Sequence, residues 1–338
     1  MQPTDTLEDL AHEAKSAVII GNGGGGDCLV GLLAAGWLRR MGVERVALGG
    51  IACQWWTAPG EDRPELVDVL GPDLYSIDDL DQVNRIHDYA AICNADTNSH
   101  GRRPHEAVLA QFIGQKNVGQ ENVGQETFIV SHQGGAKGAA SGLQAVIEYF
   151  DADLVIAMDV GSDTLSTGRE VRPTMTVLAD HLTLAAVMSQ DVPSVFCLAG
   201  FGADAELELE ELTDNTGLVL SAGGLLGVFA PSKGEIGALE AVQTMAFDPV
   251  GGLVIEAYRG NFGLHHVPTA SPWGQVARMT PAAVPIWAFS PRIVVDAVAQ
   301  DVSKIIETTS LAEAERIYLE LGRLPETTIV GRVDFRRP

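Results

Sequence analysis

Ala17-Val18-Ile19-Ile20-Gly21-Asn22-Gly23-Gly24-Gly25-Gly26-Asp27 is the stretch on which the reading of the fold turns. Residues 17–20 are a compact apolar run of strand type, three of them β-branched. The glycines that follow strip side chains from a tight turn. From Cys28 to about Arg40, Leu29, Leu32, Leu33 and Leu38 fall near helical spacing, and Gly42 is a fitting stop. Arg45 to Leu48 reads as a second strand. Strand, glycine turn, helix and strand make one βαβ unit.

The same alternation continues outward from this unit. Apolar runs at Tyr89–Cys93, Thr127–Val130, Leu154–Met158 and Val195–Ala199 each end in polar or glycine residues. Helical stretches are expected before the first unit at 7–15 and between the later runs at 139–150 and 177–189. Short, fully apolar strands alternating with helices predict an α/β, Rossmann-like fold with a mostly parallel sheet and helices on both faces. One domain over residues 1–338 is expected. The pattern loosens after about residue 205, although 234–247 and 311–321 read as helices and 283–289 as a strand. Residues 205–338 therefore either complete the sheet or add a helical cap. The repeated Asn-Val-Gly-Gln-Glu at 117 and 122 marks 114–126 as an exposed loop insertion.

Composition narrows the function. The formal net charge is −23 and no basic run occurs, which argues against a nucleic-acid partner. No uncharged apolar stretch reaches the roughly 18 residues of a membrane span. The N-terminus lacks the basic and apolar regions of a signal peptide. The four cysteines are scattered without a CxxC pair, as expected of buried thiols in a reducing compartment. A cytoplasmic protein with a small-molecule ligand is expected, and homo-oligomerisation stays open.

The glycine run is the first candidate site. Asn22, Gly23, Gly24, Gly25 and Gly26 stand between a strand and a helix, where backbone N–H groups can face a phosphate. The plainer alternative is a turn for close packing. Asp27 reads as a helix cap, or else as a metal ligand or catalytic base beside a bound phosphate. No Lys-Ser/Thr pair follows the loop, so it is not a Walker A motif. In an open parallel sheet, ligands sit beyond the carboxyl ends of the strands. Asp27, Asp96, His132 and Asp159 each follow an apolar run and so are expected at one edge. His132 is a candidate general base, and Gly134-Gly135 behind it a second anion cradle. Asp159 and Asp163, followed by Arg169, Glu170 and later Asp180, suit Mg²⁺ or Mn²⁺, which prefer oxygen ligands. Arg169 pairing with these acids is the alternative.

Several of these segments together resemble a known family. They are Gly23–Asp27, Ser131-His132-Gln133-Gly134-Gly135, Met158-Asp159-Val160-Gly161-Ser162-Asp163-Thr164-Leu165, then Gly168, Glu170 and Asp180. The pattern is similar to the prokaryotic family catalogued as domain of unknown function 1152, over the chain to about residue 240. Gln133 intervenes between the histidine and its glycines, and Ser162 stands where glycine is usual. The resemblance implies a fold and a site location but names no reaction.

The leading expectation is an enzyme that binds a nucleotide or another phosphorylated small molecule at the glycine loop, with a divalent metal. Phosphoryl transfer or related chemistry follows from that. A metal-assisted hydrolase of C–N or related bonds and a non-catalytic metabolite sensor are the alternatives. A nicotinamide enzyme is disfavoured. The second strand runs out through Leu48-Gly49-Gly50-Ile51-Ala52 without the acid that would bind a ribose.

Overall fold

The computed structural model describes residues 5–59, 67–116, 126–172, 174, 176–246, 248–267 and 276–330. The strands are β1 (Ser16–Gly21), β2 (Arg45–Ile51), β3 (Cys53–Pro59), β4 (Val67–Leu74), β5 (Leu80–His87), β6 (Ala90–Ser99), β7 (Thr127–Val130), β8 (Leu154–Val160), β9 (Ser194–Ala199), β10 (Leu225–Phe229), β11 (Gly263–His266), β12 (Val276–Met279) and β13 (Ile286–Phe289). The helices are α1 (Leu7–Glu13), α2 (Asp27–Met41), α3 (His105–Lys116), α4 (Gly135–Phe150), α5 (Leu178–Met188), α6 (Leu209–Ser221), α7 (Lys233–Gln243), α8 (Pro249–Tyr258), α9 (Pro291–Ala297), α10 (Val302–Ile305), α11 (Leu311–Glu320) and α12 (Thr327–Val330).

Nine strands form one sheet in the order β10-β13-β9-β8-β1-β2-β7-β6-β5. The five central strands, β9 to β7, run parallel. Two antiparallel strands flank them on each side. The fold is the expected α/β, Rossmann-like one. The region after residue 205 supplies β10 and β13 to the same sheet as well as helices. Most of the 114–126 insertion lies outside the described residues.

β1 is buried along its whole length because both faces are covered. Ala17 and Ile19 pack toward α2 and its neighbours α1, α3 and α7, and Val18 and Ile20 toward α4 and α5. All four cysteines are buried free thiols. No helix among the described residues is long and apolar enough to cross a membrane.

The chain leaves β1 toward β2 through α2 and later returns to the other side of β1 through α4 and β8. The strand order therefore reverses between β1 and β8. The connections on the two sides diverge there, the place where open α/β sheets bind ligands, beyond the carboxyl ends of the strands.

One strand runs against expectation. β6 is antiparallel to β7, with Ala90 opposite Val130 and Cys93 opposite Thr127. Its carboxyl end, and Asp96 with it, therefore lies at the opposite edge of the sheet from the carboxyl ends of β1 and β8. Asp96 is not a ligand residue of this site. A buried antiparallel strand shows the same apolar run as a parallel one, so the sequence pattern could not separate them.

Candidate carboxylate site at the sheet reversal

Three aspartates from three elements converge at the carboxyl ends of β1 and β8. Asp27 opens α2 directly after the glycine loop, Asp159 is the penultimate residue of β8, and Asp180 sits in the first turn of α5. Each offers a carboxylate oxygen, and these oxygens all lie within 4.8 Å of one another. The residues are only 8%, 2% and 2% exposed, respectively.

Polar neighbours hold the trio in place. Gly23 N–H donates to Asp27 Oδ2 at 2.7 Å. Asn22 Nδ2 donates to Thr164 Oγ1 at 2.9 Å and to Asp180 Oδ1 at 3.3 Å. Thr164 Oγ1 lies 3.1 Å from Asp180 Oδ1. Two acceptor atoms, Asn22 Oδ1 and Asp159 Oδ2, are buried without a hydrogen-bond partner. Buried acceptors normally have one, and a bound cation is one way to satisfy them.

The electrostatics are one-sided. Burial pushes Asp27 well above the ordinary carboxylate range, and the fields of Asp159 and Asp180 push the same way. Burial and then Asp204 raise Asp159 to about 7, against hydrogen bonds from Thr164 and the Val160 N–H. Asp180 is raised by burial, then by Asp159 and Glu326. Like charges this close cannot all ionise in a poorly solvated site unless a cation joins them.

The glycine loop packs against these acids, and three of its amides are bonded within the protein. Asn22 N–H donates to Met158 O at 2.8 Å, and Gly25 N–H to Cys53 O at 3.1 Å. With Gly23 bonded to Asp27, these three amides are committed within the protein. A Cβ on Gly23 would lie 2.4 Å from Asp180 Oδ1, and one on Gly26 would lie 2.1 Å from Asp248 Cγ. The missing side chains thus let two carboxylates approach the backbone. Gly24 and Gly25 have φ of +92° and +61°, which also favours glycine.

The second glycine pair is a packing joint too. Gly135 lies against the backbone of Thr308 and Ser310, and Gly134 against the Tyr89 ring. Ala136 N–H donates to Thr308 Oγ1 at 3.0 Å, and Lys137 N–H to Thr308 O at 3.1 Å. The Ala136 and Lys137 amides at the start of α4 are therefore bonded within the protein.

His132 is buried beside Thr183, which bonds the carbonyl of Asn22. Thr183 Oγ1 lies 2.7 Å from Asn22 O and 3.0 Å from Ala179 O. Carbonyls only accept, so the hydroxyl proton goes to them. His132 Nε2, 3.1 Å from the same oxygen, must then be the donor. Burial pushes the ring down to about 3, so it stays neutral and is a poor base at pH 7. Through Thr183 it steadies Asn22.

Asp163 begins a short 3₁₀ turn after β8 and is only partly buried. It lies outside the converged trio, and Asp180 takes the place expected for it. Burial and the fields of Asp180 and Asp159 raise its carboxyl well above the usual range. Arg169 is exposed, and Arg323 is the arginine that pairs with Glu170. Sequence reading missed Asp248, the N-cap of α8, which presses on Gly26. It also missed Asp204, which accepts from Ser162 N at 2.9 Å and Ser162 Oγ at 2.6 Å. Neither acid stands in a motif that would have singled it out.

The fold and site define an α/β protein of Rossmann-like architecture with a buried carboxylate cluster where its sheet reverses. Residues 18–329 match the family described as "Protein of unknown function (DUF1152)", and the chain belongs to that family. The match extends well past residue 240, through the strands that complete the sheet. No curated protein and no solved structure matches the chain.

Proposed function

We propose that the protein is an enzyme that depends on a hard divalent cation, Mg²⁺ or Mn²⁺, and acts on a small phosphorylated ligand such as a nucleotide. Asp27, Asp159 and Asp180 would hold the cation, with Asn22 Oδ1 as a neutral fourth donor. The approach of three buried carboxylates to within 4.8 Å of one another carries the reading. An all-oxygen donor set favours Mg²⁺ or Mn²⁺ over metals that seek nitrogen or sulfur. A dication lets the three acids ionise together.

The same acids would repel a bare phosphate. Ligand affinity is therefore expected to require the metal, which supplies charge neutralisation and orientation for phosphoryl oxygens when bound. Gly23 and Gly24, less covered than the rest of the loop, border the solvent side. A second reading, metal-assisted hydrolysis of a C–N or related bond, is favoured by the internal bonding of the Gly23 and Gly25 amides.

Mn²⁺ titration of the full chain, followed by calorimetry and electron paramagnetic resonance, tests the proposal. Saturable binding is expected, lost in Asp159→Asn. A cation at about a hundred times its dissociation constant should add roughly 2.7 kcal/mol of stability. ATP, ADP and inorganic phosphate should then bind only with the cation present. Metal binding without any phosphate ligand would move the assignment to the hydrolase. Failure of the wild type to bind Mn²⁺ or Mg²⁺ at millimolar concentration would sink the cation site.

A further inference from the structure

α5 carries Asp180 into the site, yet its own sequence supplies no cap. The N-cap residue is Val177, whose side chain has no acceptor for the first-turn amides. The acceptor comes from 147 residues away. Ala179 N–H, adjacent to Asp180, donates to Glu326 Oε1 at 2.7 Å. Glu326 is 1% exposed, and its Oε2 has no partner.

Glu326 belongs to a short segment tied repeatedly to the approach to α5. Leu324 O accepts from Thr176 N–H at 2.9 Å. Thr176 has φ +62°, a strained conformation for a β-branched residue that outside contacts must hold. Arg323 is almost wholly buried. It reaches Asp301 Oδ2 at 2.7 Å, Thr174 Oγ1 at 3.1 Å and Glu170 Oε2 at 3.5 Å. Residues 323–326 thus hold Glu170, Thr174 and Thr176 on the approach to α5, and Ala179 in its first turn.

We propose that Glu326 is a positioning residue for the carboxylate site, and that residues 323–326 clasp the first turn of α5 so that Asp180 meets Asp27 and Asp159. The inference rests on the cation reading above and adds a coupling to it. Undocking the clasp frees Ala179 N–H, loosens the turn and displaces a ligand without deleting one. Because linkage is reciprocal, cation binding also tightens the clasp.

The test compares Glu326→Ala with Glu326→Gln in the full chain. Glutamine keeps an oxygen for Ala179 N–H and removes the charge. Glu326→Ala is expected to weaken Mn²⁺ binding about tenfold or more, the usual scale for a residue supporting a metal ligand. Glu326→Gln should restore most of that loss. Wild-type affinity in Glu326→Ala would overturn the proposal. So would a Glu326→Gln variant as weak as Glu326→Ala, which would assign the effect to charge.

Hydrogen exchange on the wild type needs no variant to fold. Mn²⁺ should protect 176–180 and 324–326 together, and protection confined to α5 would overturn the coupling. If the wild type binds no Mn²⁺, the cation reading fails separately. Metal-free exchange in Glu326→Ala then decides the clasp. Faster exchange at 176–182 supports it, and unchanged exchange refutes it.

Discussion

Glu106 is the second residue of α3, and its carboxyl group is nearly sealed from water, close to Gly50 and Cys28. Burial raises it from 4.5 to about 8, and its Oε2 has no partner. Between those values the native state keeps a proton that the unfolded chain releases. Stability therefore falls as pH rises across this window, by about 1.4 kcal/mol per pH unit for one group. Glu106→Gln removes the titration. Urea unfolding should show the variant gaining on the wild type steadily from pH 5 to pH 8. Parallel pH profiles would show that this carboxyl does not control the slope. Glu106 had no signal in the sequence, because an acid at the start of a helix normally reads as a solvated residue favoured by the helix dipole.

At the scale of the element, α4 begins at a glycine whose backbone and surroundings both exclude a side chain. Gly135 has φ +63°, and a Cβ there would lie 2.8 Å from Thr308 O. Gly223 has φ +77°, with nothing within 4 Å of its would-be Cβ. Gly223→Ala measures the backbone contribution, about 1–3 kcal/mol for a strained left-handed residue. Gly135→Ala should destabilise by more, because it also pries α4 from the 308–310 turn. Equal losses by thermal unfolding would mean that the turn simply moves aside. The boundaries of β1, α2, β7, α4, β8, α5 and β9 were legible within a few residues, because each has strong apolar patterning and a glycine or polar stop. β3, β4 and β5 were not. β5, Leu80–His87, is polar and half exposed, as suits a sheet edge, and so carries little hydrophobic signal.

The whole molecule carries a formal charge of −23, and self-repulsion works against its compact state. Monovalent salt should raise the unfolding midpoint gradually and without saturation, by screening. At matched ionic strength, Mg²⁺ or Mn²⁺ should add a saturable increment that Asp159→Asn loses. An equal response to all salts would reduce the cation effect to diffuse screening. The site joins the two halves of the sheet at β1 and β8, so cation binding should stabilise the global fold and not one lobe of it.

The chain order of apolar runs and breakers determined by itself that this is an α/β protein with a glycine turn after its first strand. It also marked Asp27, Asp96, Asp159 and Asp163, with Asp180 further on, as acids in suggestive places. These are local properties, set by side-chain periodicity and by the few residues that tolerate sharp turns. Tertiary structure alone decided which acids meet. Asp180 joins Asp27 and Asp159 because α5 leaves β8 beside β1, whereas Asp96 is carried to the far edge by an antiparallel strand. It also decided that the glycines admit carboxylates and that Glu326 caps a helix 147 residues away. Strand direction, strand order and long-range caps depend on how buried faces pair through space, and an apolar run is compatible with either direction and several neighbours.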